Sequence, residues 1–127
     1  AHFSRAVLES IAFLLRMILE GEGMGQTEVS EIRVMGGGSK SDFWNKMKAD
    51  VTGIPVRTLR NTEAPTIGSA IIAAVSCGQF SSIEEGVSRW VKLDREFLPD
   101  QNNHQAYNDV YLDFCRKEHI IYSPQTL

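Results

Sequence analysis

The stretch Ile32-Arg33-Val34-Met35-Gly36-Gly37-Gly38-Ser39-Lys40-Ser41 constrains the fold of this chain more than any other. A β-branched run stops at three glycines, and a helical pattern resumes almost at once from Ser41. A strand turning directly into a helix points to an α/β architecture. Residues without Cβ let the backbone turn tightly and leave its N–H groups open to a ligand. A helix N-terminus just behind adds unpaired donors and a partial positive charge, which suit a phosphate. One glycine is enough for such a turn. Three in a row at the C-terminal end of a strand point to close approach by a ligand or another backbone.

The glycines match neither common phosphate motif. A P-loop would need glycine where Val34 and Ser39 stand, although Lys40 and Ser41 follow as that motif requires. The dinucleotide fingerprint would use Gly36 and Gly38, with Ser41 in place of its third glycine and Glu63 as the ribose-binding acid. A hydrolase triad from Ser39, Ser41, His104 and Asp50 or Asp109 lacks the G-x-S-x-G elbow.

Around this turn the periodicity predicts a helix from Phe3 to about Glu20, with Val7, Ile11, Leu14 and Ile18 on one apolar stripe. Leu8, Ala12, Leu15 and Leu19 form the adjacent stripe, and Glu9, Arg16 and Glu20 mark the wetter edge. Two stripes predict cover on more than one side. Gly21, Gly23 and Gly25 then open a loop. Glu31–Met35 reads as a strand. Ser41, with Ser39 as second choice, caps a helix carrying Phe43, Trp44, Met47 and Val51, which Gly53 and Pro55 end. Val56–Leu59 is a second strand.

Asn61–Pro65 reads as a helix start. The small residues Gly68, Ser69, Ala70, Ala73 and Ala74 place the helix from Pro65 to Ser76 deep in the core. Cys77-Gly78 closes it. Ser81-Ser82-Ile83-Glu84 is a capping box opening a helix to about Trp90. Lys92–Asp100 is an extended crossing. A last helix, from about Gln101 to Glu118, aligns Tyr107, Val110, Tyr111 and Phe114, and Ile120–Leu127 reads as an irregular tail. Two strands for five helices is a deficit, since parallel strands are normally buried in a wider sheet. The chain reads as a piece of something larger.

At 127 residues with 43% hydrophobic residues, a single domain with a proper core is expected. A net charge of -3, without a basic run, gives no basis for a nucleic-acid or anionic-membrane partner. Cys77 and Cys115 read as reduced thiols, and the histidines show no metal-ligand spacing with them. Without a leader or a long apolar run, the cytoplasm is the expected location.

Five segments, in order, resemble the C-terminal domain of the FGGY carbohydrate kinases, the group holding xylulose kinase, gluconate kinase and glycerol kinase. They are Ala1–Glu9, Ile32–Ser41, Trp44-Asn45 with Ala49–Val56, Glu63–Ala74, and Tyr107–Tyr111, with the xylulose kinase branch the more similar. The resemblance implies an actin-like, ribonuclease-H-like ATPase domain, helix-rich with an incomplete sheet, of which residues 1–127 are the C-terminal part. It implies ATP and Mg2+ as cofactors, with Gly36, Gly37 and Gly38 against the α-phosphate and adenosine. Ser41 stands where relatives often carry an adenine-facing asparagine. The catalytic aspartate, the Mg2+ ligands and the sugar pocket belong to the absent part, so no catalytic or metal-binding residue is assigned here. A kinase of roughly 500 residues is implied, phosphorylating a sugar or polyol, with this piece inactive alone. A non-catalytic binding or homo-oligomerising module and a Rossmann-like dinucleotide binder are the alternatives.

Overall fold

The computed structural model describes residues 2–21, 29–60 and 63–122. Gly23, Gly25, Asn61 and Thr62, assigned above to a loop and a helix start, lie outside them. The elements run α1 (His2–Glu20), β1 (Ile32–Val34), a 3-10 turn (Gly37–Lys40), α2 (Asp42–Thr52), β2 (Val56–Leu59), α3 (Ala64–Ser76), α4 (Ile83–Trp90), β3 (Leu93–Phe97) and α5 (Gln101–Tyr122).

The sheet has order β1-β2-β3. β1 and β2 are parallel, with Ile32 opposite Val56 and Val34 opposite Thr58. α2 forms the crossover between them, as a parallel pair requires. β3 is antiparallel to β2 and was expected only as an extended crossing. Its Leu-Asp-Arg-Glu-Phe sequence is almost wholly exposed, so no apolar alternation marks it as a strand. Its pairing comes from β2, where the Thr58 hydroxyl accepts the Arg95 N–H at 3.1 Å across an irregular register. Val56 and Thr58 point into the molecule and are buried, whereas Arg33, Arg57 and Glu96 align across the three strands on the open face.

The core lies between α1, α2 and α5. Phe13 is its centre, 3% exposed, with the rings of Tyr107, Tyr111 and Phe114 at 6.0, 5.9 and 5.4 Å. Ala12, Met47 and Val51 complete it. The expected orientation of α1 is corrected here. Val7, Ile11, Leu14 and Ile18 are 41–63% exposed, so one of the two apolar stripes has no cover within the described residues. Arg16, assigned to the wetter edge, instead pins three helices together. Its guanidinium donates to the Val51 carbonyl at 3.2 Å and Asn108 Oδ1 at 2.8 Å, and stacks on Tyr111 at 4.2 Å.

α3 is also corrected. Among its residues of described exposure, only Ile71 and Ala74 are buried; Ser69, Ala70, Ile72 and Ala73 are exposed. Its small residues permit a close neighbour, and among the described residues the element packed against it is α4, at one narrow crossing. A Cβ on Gly86 would lie 2.6 Å from Ile71 Cγ2. The capping box is displaced by one residue, to Ser82 and Glu85: Ser82 Oγ accepts the Glu85 N–H, and Glu85 accepts the Ser81 N–H. α5 continues to Tyr122, so Ile120–Tyr122 are helical where a tail was expected, and residues 123–127 lie outside the description.

Candidate nucleotide-binding turn

The turn is built from the end of β1 outward. Gly36 has φ 77°, a conformation that residues with a side chain rarely adopt, and it reverses the chain. Gly37–Lys40 then form the 3-10 turn, and Ser41 is the N-cap of α2, its hydroxyl oxygen accepting the Trp44 N–H at 3.3 Å. Ser41 is thus the cap, and Ser39, the second choice, holds the turn from inside.

Only the first glycine is required by the backbone. Gly37 has an ordinary φ, and a Cβ there would meet nothing within 4 Å. A Cβ on Gly38 would make ordinary contacts of 3.7 Å with the Trp44 ring. Gly37 and Gly38 are exposed, and the first turn of a helix leaves its leading N–H groups without helical acceptors. The result is an open cradle of peptide donors at the head of α2, with room for an anion where side chains are missing. That geometry fits an anion such as a phosphate.

Behind the cradle the contacts are buried. The Gly36 carbonyl accepts both the Ser39 N–H at 3.1 Å and the Ser39 hydroxyl at 2.7 Å. Asn45 Nδ2 donates to the Ser39 carbonyl at 2.7 Å. Lys48, one turn beyond Trp44, lies 5.2 Å from its ring centre, and burial pushes its pKa down to about 8. Neither Asn45 nor Lys48 was singled out for a role from sequence. Asn45 stood inside the Trp44-Asn45 motif, the only signal available for it.

The other candidates are dispersed. His104 Nδ1 lies 2.9 Å from the Asp50 carbonyl at the far end of α2 from Ser39 and Ser41, so no hydrolase triad assembles. Glu63 is exposed at the start of α3 and makes no side-chain cap. A cleft of about 460 Å³ between α1, α2 and α5 is lined by Arg5, Lys46, Asp50, Asn103 and Tyr107. Its charges are already engaged: Asp50 with Lys46, Asn103 and the Asp100 N–H, and Arg5 with Glu9 and Tyr107. Among the described residues no three His, Cys, Asp or Glu side chains gather as a metal site, and no helix is long and apolar enough to cross a membrane. Cys77 and Cys115 are free thiols.

Comparison with known proteins finds relatives along most of the chain. The profile of the FGGY family of carbohydrate kinases, C-terminal domain, matches residues 1–77. A xylulose kinase of Staphylococcus epidermidis is 36% identical over 111 residues, covering 87% of this chain and 22% of that protein. A glycerol kinase of Delftia acidovorans is 39% identical over 111 residues, covering 84% of this chain and 22% of that protein. The chain therefore spans under a quarter of these relatives' length. Among solved structures, a xylulose kinase from Rhodospirillum rubrum superposes with TM-score 0.79 at 25% identity, over 96% of this chain and 25% of that one. A ligand-bound xylulose kinase from Lactobacillus acidophilus gives 0.81 at 20% identity, over 97% of this chain and 25% of that one. The fold is that of the C-terminal part of an actin-like ATPase domain, helix-rich with a small sheet.

Proposed function

The chain belongs to the FGGY family of carbohydrate kinases, and from that premise we propose that it forms the adenosine and α-phosphate side of an ATP site in a sugar or polyol kinase. The observation that carries this reading is the pair Gly37 and Gly38, exposed and free of steric or dihedral need for glycine within this fold. Space for a ligand is the remaining reason for two missing side chains at the head of a helix.

In the proposed reaction a sugar hydroxyl attacks the γ-phosphorus, the bond to the β–γ bridging oxygen breaks, and ADP leaves. Such transfer depends on positioning and electrostatic stabilisation, so a rigid donor cradle contributes to rate by holding the nucleotide in line. The N–H groups of Gly37 and Gly38 face the α-phosphate. Ser41 accepts from Trp44 and retains its own hydroxyl proton for the adenine. Mg2+, when bound, offsets phosphate charge, and its ligands, the general base and the sugar pocket are assigned to the N-terminal domain. Residues 1–127 are read as part of the nucleotide-binding domain of a cytoplasmic enzyme. The open α1 stripe, the exposed α3 and the unpaired edge of β1 support this, because among the described residues each lacks the cover that a larger domain supplies.

Gly37→Val in the complete enzyme is expected to raise the KM for ATP at least about tenfold and leave that for the sugar unchanged. An unchanged ATP dependence refutes the assignment. The 127-residue chain alone is expected to phosphorylate no pentose above a protein-free control. The non-catalytic alternative requires the chain to be a stable, cooperatively melting monomer in light scattering and calorimetry. Preference for NAD over ADP in titration calorimetry would restore the dinucleotide reading.

A further inference from the structure

We propose that Ser39 and Asn45 are positioning residues for the nucleotide, bracing the glycine turn from inside so that its N–H groups hold one direction. The proposal rests on the reading of Gly36–Gly38 as the ATP cradle. Two buried side chains link the turn to the body of α2 in series. The Ser39 hydroxyl donates to the Gly36 carbonyl, and Asn45 Nδ2 donates to the Ser39 carbonyl, each at 2.7 Å. Ser39 is 3% exposed and Asn45 is fully buried.

The second observation concerns the other end of the same amide. Among the described residues Asn45 Oδ1 is buried without a hydrogen-bond partner. A buried polar atom left unpaired opposes folding, and leucine, of nearly the same shape, would fill this position without that cost. Asparagine at this position is therefore explained by its one bond, to the turn. That bond gives the Ser39 carbonyl an acceptor role that α2 itself does not provide, and it stops the 3-10 turn from rotating its leading peptides away from the ligand. The rotatable backbone bonds of three consecutive glycines would otherwise leave those peptides free to reorient, at an entropic cost on every binding event.

The test uses the complete kinase polypeptide that contains this chain. Asn45→Leu removes the bond and the unpaired oxygen but leaves the Ser39 carbonyl without its donor, so the melting temperature is expected to fall by about 2–4 °C. The KM for ATP is expected to rise about tenfold, with the KM for sugar and kcat at saturating ATP within about twofold. Ser39→Ala, which keeps the backbone bond to Gly36, is expected to give about threefold in the same direction. If Asn45→Leu melts early, Ser39→Ala decides: a raised ATP KM with the sugar KM unchanged supports the proposal, and an unchanged ATP KM overturns it. Gly37→Val separates the two levels. If it raises the ATP KM while Asn45→Leu and Ser39→Ala do not, the bracing role is wrong and the cradle stands; if none of the three moves it, both are wrong.

Discussion

The two faces of α1 are both apolar and differ in charge and in cover. The face against α5 carries Phe13 together with Glu9, Arg16 and Glu20, whose partners are Tyr107, Asn108 and Tyr111. The face left open carries Phe3, Val7, Ile11, Leu14 and Ile18, uninterrupted by charge and 41–83% exposed. The covered face also carries Leu8, Ala12 and Met17, so both faces are apolar, and the one free of charge is uncovered among the described residues. α3 repeats the lesson, with Ile72 60% exposed beside the exposed Ala70 and Ala73. Hydrophobic pattern reports that a face is meant to be covered. It does not report by what.

The sharpest way to break this contrast is to truncate a residue on each face. Phe13→Ala is expected to lower the unfolding free energy of the chain by about 3–5 kcal/mol in urea denaturation, because the three surrounding rings cannot collapse onto the space. A loss below about 1 kcal/mol would mean that the aromatic centre is not the core.

A smaller effect compares two cations on the covered side. Arg16 has several partners, whereas among the described residues no carboxylate pairs with Lys48, whose pKa is lowered by burial from 10.5 to about 8. Lys48→Met is expected to stabilise the chain at pH 7 by roughly 1 kcal/mol. Between about pH 8 and 10.5 the unfolded chain holds a Lys48 proton that the folded chain has released, so stability rises with pH in that window. Above pH 10 Tyr111 acts in the opposite direction. Burial first, and then its contacts with Cys115 and Glu20, raise its pKa well above 10.0, so the folded state retains a proton that the unfolded state loses. Denaturation curves across pH 7–10 should show the rise in the parent and its absence in Lys48→Met; the same rise in both would remove Lys48 as its source.

The smallest effect belongs to the open face. Ile18→Ser is expected to change stability by less than about 0.5 kcal/mol, since Ile18 is 63% exposed. The same change should reduce self-association of the chain in light scattering. A large loss of stability without any change in association would show that the face is covered within this chain after all.

Much of the fold was legible locally. The helix caps at Ser41 and Gly53 and the turn at Gly36 follow from bonds or dihedrals within a few residues, and the second strand at Val56–Leu59 was marked by its β-branched, mostly buried residues. β3 was not legible, because Asp94, Arg95 and Glu96 carry no apolar alternation and the strand exists by pairing with β2. At the candidate site the glycines were visible in the sequence, but the buried support from Ser39 and Asn45 was not. A serine and an asparagine six residues apart become one brace only when the helix folds back beneath the turn.

The sequence by itself determined the caps of α2 at Ser41 and Gly53, where the chain must reverse, and that a strand runs into a glycine turn. Propensity, capping and left-handed φ are short-range effects, and a linear reading captures them. Tertiary structure alone decided which face of α1 meets α5, that α3 remains exposed, and that only Gly36 of the three glycines serves the fold. Burial and spare volume are properties of neighbours, and neighbours are chosen by the packing of the whole.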